Sequence, residues 1–184
     1  MIRTARLLTT ALVGLVSGES PQQPELTFAS APCHVAFRHP ADWVVRPDTN
    51  QAADPCAFLI RPLAWDSLLV DADSVDLYTL GLRVVAQDFE AAVAESPFER
   101  RNGTWVILGR QGLENAATPI ADRGWQGVWG TATIGCYRIE GGYAGLCDAP
   151  TALVGTATRS AMLEGGPQSE NVFDRILATL ELRL

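Results

Sequence analysis

Residues 125–147 read WQGVWGTATIGCYRIEGGYAGLC. Trp125 to Ile139 is rich in aromatic and β-branched residues, which favour a pleated strand. Tyr143 to Cys147 reads as the returning strand. Gly141-Gly142 between them suits a two-residue turn, because both central residues of a type I′ turn need positive φ. A turn centred there sets Cys136 opposite Cys147. Side chains opposed on one sheet face stand within disulfide range. The stretch predicts a long, stapled antiparallel hairpin.

Toward the C-terminus, Asp148-Ala149-Pro150 reads as a turn and Thr151 to Met162 as another strand. Gly165-Gly166-Pro167 breaks it. Ser169 is placed to cap a helix whose apolar stripe is Val172, Phe173, Ile176, Leu177 and Leu180. Toward the N-terminus, Cys33 to Arg38 and Trp43 to Val45 alternate as strands. His39-Pro40-Ala41-Asp42 turns between them, so the two are expected to pair as a hairpin. Cys56 to Pro62 is a third strand. Leu77, Tyr78, Gly81, Val84, Val85, Phe89, Ala92 and Val93 recur at helical spacing, which predicts a helix over Val75–Glu95. Asp73 or Ser74 is its expected cap, and Gly81 is read as a point of close packing. Trp105 to Leu108 is a short strand after the turn Arg101-Asn102-Gly103. Gln111 to Ala121, containing Pro119, reads as irregular. The order is strands, helix, strands, helix, with tight turns. That predicts an α+β fold, a mostly antiparallel sheet covered by two main helices.

One domain is expected from 184 residues, 47% of them hydrophobic and 19% charged. Such a balance excludes a disordered chain. The net charge is −7, and all fourteen basic residues are arginines. A Schiff-base or P-loop lysine is thereby excluded, and nucleic acid is not an expected partner. Arg3 and Arg6 precede the apolar run Leu7–Val16 and the small exit Val16-Ser17-Gly18, the plan of a signal peptide over residues 1–18. The run is about half the ~20 residues of a membrane span. Its loss takes two arginines and moves the charge from −7 to −9. Residues 19–32, rich in Pro, Gln and Ser, read as a flexible leader, and residues 33–184 as the domain.

The four cysteines, Cys33, Cys56, Cys136 and Cys147, read as two disulfides of an oxidising compartment, periplasmic or extracellular. Four cysteines allow three connectivities, which sequence alone does not decide; the hairpin geometry favours Cys136 with Cys147, which leaves Cys33 to Cys56. No close cysteine pair suggests zinc, and a strand would turn His34 away from Cys33.

The segment Phe37-Arg38-His39-Pro40-Ala41-Asp42-Trp43-Val44-Val45, with its P-x-x-W turn, resembles the opening of the PsbP-like superfamily. That superfamily includes photosystem II extrinsic proteins, Ran-binding Mog-type proteins and DcrB-type envelope proteins. The closing helix and short strand, Val172 to Arg183, resemble its ending. The four cysteines depart from typical members. The resemblance implies an αβα sandwich around an antiparallel sheet. It implies no single function, since members are mostly accessory or binding proteins, and it carries over no functional residues.

Motifs of chemistry are few. G-x-S-x-G and H-E-x-x-H are absent, and His34 and His39 are the only histidines. His39 reads as a turn residue. Asp66, Asp71, Asp73 and Asp76 do not match a calcium loop and suit a helix N-terminus. Gly124 to Gly130 leads into a strand and not a helix, so it is not a phosphate loop. Trp125 and Trp129 share a face. They read as core, with a hydrophobic binding platform as the functional alternative. Arg100-Arg101 is a solvated turn beside the sequon Asn102-Gly103-Thr104.

The expectation is an exported, disulfide-stabilised, non-enzymatic envelope domain that binds a protein partner or small ligand. No catalytic residue, metal or cofactor is expected, and no membrane span after signal cleavage. The alternatives are an exported hydrolase with a dispersed carboxylate pair and a redox-sensitive envelope stress protein.

Overall fold

The computed structural model describes residues 23–51, 53–65, 78–122, 124–137 and 142–183. The signal peptide, the acidic run 66–76, the expected cap at Asp73 or Ser74 and Gly141 of the hairpin turn lie outside them.

Where a flexible leader is expected, residues 25–30 form strand β1 (Glu25–Ser30). It pairs antiparallel with β2 (Val35–Pro40), Phe28 opposite Phe37. The reason is its alternation. Phe28 turns inward, its ring 5.1 Å from those of both Phe37 and Phe58. The turn between these strands places His34 at φ 53, in the left-handed region, and not in a strand. The other edge of β2 is taken by β12 (Glu181–Leu182). With both edges filled, β2 has none left for β3 (Trp43–Pro47). The expected hairpin of these two strands is therefore not formed, and the chain crosses at Ala41-Asp42 into a second sheet.

That second sheet has nine described strands. β3 pairs with β4 (Ala57–Pro62), and β4 with β5 (Leu80–Val85). β5 corrects the helix expected over 75–95. Leu80, Leu82 and Val84 are buried at a period of two, between β4 and β11 (Ser160–Gly165). Only the end of that segment is helical, as α1 (Phe89–Ala94). β6 (Phe98–Arg101) and β7 (Thr104–Leu108) flank a two-residue turn, Asn102 at φ 53 and Gly103 at φ 82. Asn-Gly is the favoured pair for such a turn.

β8 (Glu114–Asp122) forms where an irregular stretch is expected. Pro119 is tolerated because β8 meets β7 only through Glu114–Ala116. Opposite Pro119 on the other side is Val128 of β9 (Trp125–Tyr137). β10 (Tyr143–Gly155) completes the long hairpin and runs straight through the turn expected at 148–150. The spatial order is β3-β4-β5-β11-β10-β9-β8-β7-β6. Every pairing described in either sheet is antiparallel.

The nine-stranded sheet buries both faces. On one, Ile60, Leu82, Ala152, Val154 and Leu163 meet Phe37 of the small sheet. The same face takes Phe173 and Ile176 of α2 (Glu170–Thr179). Each of these buried side chains larger than alanine contributes about 1.5–3 kcal/mol. On the other face, Ile107, Val128 and Leu153 pack with Phe89 and Ala92 of α1 and with Phe98. The alternation of Ala152, Leu153 and Val154 between the two cores is strand periodicity at work. The architecture is α+β, but the two helices span only six and ten residues. The small sheet shares with α2 the task of covering one face.

Ser169 stands at the N-cap of α2, yet it does not cap as expected. Its buried hydroxyl donates to the Gly166 carbonyl (2.8 Å) and accepts from no helix N–H. Among the described residues, no helix is long and apolar enough to cross a membrane.

Candidate functional site

All four cysteines pair as expected. Cys33–Cys56 spans the two sheets with Cα atoms 5.4 Å apart, and Cys136–Cys147 crosses the long hairpin with Cα atoms 5.9 Å apart. The route to the second differs from the expected one. Tyr143 pairs with Tyr137, so five residues and not two connect the strands. A bulge follows at Gly145, φ 117. Cys136 then faces Gly145 and Cys147 faces Ile134, so the bridge joins diagonal neighbours.

Trp125 and Trp129 do share a face, and both belong to the core beneath α2. Trp125 is buried. Its indole Nε1–H donates to the Leu180 carbonyl at 3.2 Å, which fixes the ring against the end of α2. Its edge borders an open cleft of about 510 Å³, whose walls include Asp88, Phe89, Glu90, Gln126 and Thr156. Trp129 is partly buried and lies away from these walls.

Three local devices shape the cleft. Gly124, at φ 86, lets β8 turn tightly into β9, where Asp122 pairs with Trp125. Gly155 admits α1. A methyl there would sit 2.5 Å from Ser160 Oγ and 3.0 Å from Phe89 Cβ. The Asp88 carboxylate caps α1 by accepting the Ala91 N–H at 2.8 Å. Asp88 to Ala91 lie inside the long helix expected over Val75–Glu95. Their signal was the cap pattern Asp88-Phe89-Glu90-Ala91, masked by apolar residues upstream.

Chemically the cleft offers an aromatic edge, two carboxylates and an amide. Asp88 already serves the helix, and Glu90 sits 3.9 Å from Arg100 on the exposed surface. No serine, cysteine or histidine is on its walls. His39 is buried at the end of β2, Nδ1 2.9 Å from the Pro40 carbonyl oxygen. The His34 carbonyl accepts the Arg183 N–H at 2.8 Å. Among the described residues no three His, Cys, Asp or Glu side chains gather as a metal site.

No family model matches the chain, and no curated protein matches it. Among solved structures it is similar to the solution structure of cyanobacterial PsbP (CyanoP) from Synechocystis sp. PCC 6803. The identity is 9% and the TM-score 0.47, over 96% of this chain and 98% of that one.

Proposed function

We propose that this chain is an exported, disulfide-stabilised binding domain of the cell envelope, and that it holds a protein partner or small ligand at the cleft beside Trp125. The observation that carries the reading is the pairing of all four cysteines. Stable disulfides belong to oxidising compartments, and the signal-like residues 1–18 agree with export. The cleft is open and sets polar groups, Asp88, Glu90, Gln126 and Thr156, around the edge of Trp125 and beside Phe89, a mixed lining that suits a ligand. We read it as holding and not reacting, because the Asp88 carboxylate is engaged in capping α1 and the Thr156 hydroxyl in bonds to the Thr158 and Arg159 backbone.

The test is a non-denaturing intact mass of protein purified without reductant from its own host's envelope. The expected mass is that of residues 19–184 less four hydrogens, plus a bound species. Ala157→Arg, at the exposed rim of the cleft, should lose that species and keep both disulfides. A full-length, reduced mass with nothing bound would overturn the proposal.

A further inference from the structure

A second surface lies at the far end of the long hairpin, roughly 30 Å along β9 from Trp125 at the usual strand rise. Here the chain between β7 and β8 crosses the face of β9. Gly109 packs on Thr133, where a methyl would meet the Thr133 carbonyl oxygen at 2.6 Å. Arg110 lays its guanidinium into the gap left by the missing side chain of Gly135. Its Cζ also stands 5.8 Å from the centre of the Tyr143 ring. Leu146 pairs with Gly135 and so shares the face that Arg110 occupies. Leu113 follows three residues later in the same turn. Leu113, Tyr143 and Leu146 are three of the five large apolar side chains left exposed among the described residues, at 43%, 54% and 43%.

Among the described residues the charge of Arg110 is unanswered. Arg38, Arg83, Arg100, Arg101, Arg175 and Arg183 each meet a carboxylate. Arg110 has no carboxylate partner among the described residues. Asp148, on the same face, accepts the Thr133 hydroxyl (3.1 Å) instead. The turn that carries Arg110 holds Gln111 at φ 60, a conformation few side chains adopt unaided. The result is an exposed guanidinium held in place by a glycine gap and an aromatic ring, with Leu146 on the same face and Leu113 in the same turn. Tyrosine and arginine dominate the energetic centres of interfaces, and a group already fixed loses little entropy on binding.

We infer that the Arg110–Tyr143–Leu146 patch docks a protein partner through a segment that sets a carboxylate beside apolar side chains. Arg110 takes the carboxylate, and Leu113, Tyr143 and Leu146 take the apolar groups. The surface is separate from the Trp125 cleft, so either can fail without the other.

The test uses the disulfide-intact protein and two labelled peptides, Leu-Glu-Leu-Glu-Leu and Leu-Gln-Leu-Gln-Leu. Binding is followed by fluorescence polarisation and by backbone amide NMR shifts. At low salt the Glu peptide should bind about three- to fivefold more tightly, the range of an exposed charge pair. Shifts should gather at residues 109–113, 133–136 and 143–148. Arg110→Gln should abolish the preference. Leu146→Glu, at an exposed position that need not perturb the fold, should repel the Glu peptide selectively. Equal affinity for the two peptides, a preference that survives both substitutions, or shifts gathered around Trp125 would each overturn the inference.

Discussion

At Gly127 an added methyl would stand 2.6 Å from the Leu153 carbonyl oxygen and 2.8 Å from Val154 Cγ1. Backbone cannot yield there without shifting β10 against β9. Gly127→Ala should cost about 1–3 kcal/mol in denaturant melts, the usual penalty of overpacking. Gly81, expected to mark close packing, has nothing within 4 Å of the same position. Gly81→Ala should be neutral or stabilise by up to about 1 kcal/mol, because it restricts the unfolded chain. The two glycines look alike as letters, since space around a residue is a property of the fold. Trp125 offers a second contrast. Trp125→Phe keeps an aromatic ring but leaves the Leu180 carbonyl without its donor. An unmet buried acceptor costs about 1–3 kcal/mol, and the same melts would read it. A variant as stable as the parent would show that the bond is dispensable.

Elements with a single period were legible in the sequence. The stripe of α2 admits only a helix, and Ala57–Pro62 and Thr104–Leu108 admit only strands. The segment 75–95 satisfied both periods. Its valines and leucines fit a helix by spacing, yet β4 and β11 provided edges on both sides that only a strand could fill. Pro119 hid β8 because a proline's damage depends on which neighbour needs its N–H, and here the β7 side needs none. The cleft was legible only as Trp125, since its other walls come from α1 and the end of β10. The hairpin was foreseen, but its turn was not, so the bridge is diagonal. That bridge should matter locally. β11 pairs with β10 only from Thr151 and β8 with β9 only as far as Gly130. Beyond those points no described strand flanks the hairpin, and this ribbon is held by its own ladder and by the 109–115 segment crossing one face. Replacing Cys136 and Cys147 by serine should raise hydrogen exchange at residues 143–149 by about 2–3 kcal/mol of lost protection. The melting of the core should change little. Equal loss throughout the chain would show that the ribbon and core unfold as one.

At the scale of the molecule, Cys33–Cys56 has the opposite reach. It ties the small sheet to the large one at a cysteine that is 2% exposed. Replacing both by serine should lower global stability by about 2–4 kcal/mol, with all probes melting together. A purely local change would mean that packing alone joins the sheets. The strand edges are also managed at this scale. The free edge of the ribbon is bounded by the Gly145 bulge and Pro150, and the edge strand β3 ends in Arg46-Pro47. Bulges, charge and proline discourage pairing between molecules. The small sheet brings the two ends of the described chain together. The Arg38 amide bonds the Thr179 hydroxyl across 141 positions, and β12 closes the edge of β2. A contact so distant along the chain cannot form before Thr179 has been synthesised. The first strands must wait unclosed until β12 emerges, and closing so long a loop slows folding. If the chain is exported as proposed, that order leaves β2 open along one edge while the chain is threaded, and the small sheet locks only afterwards.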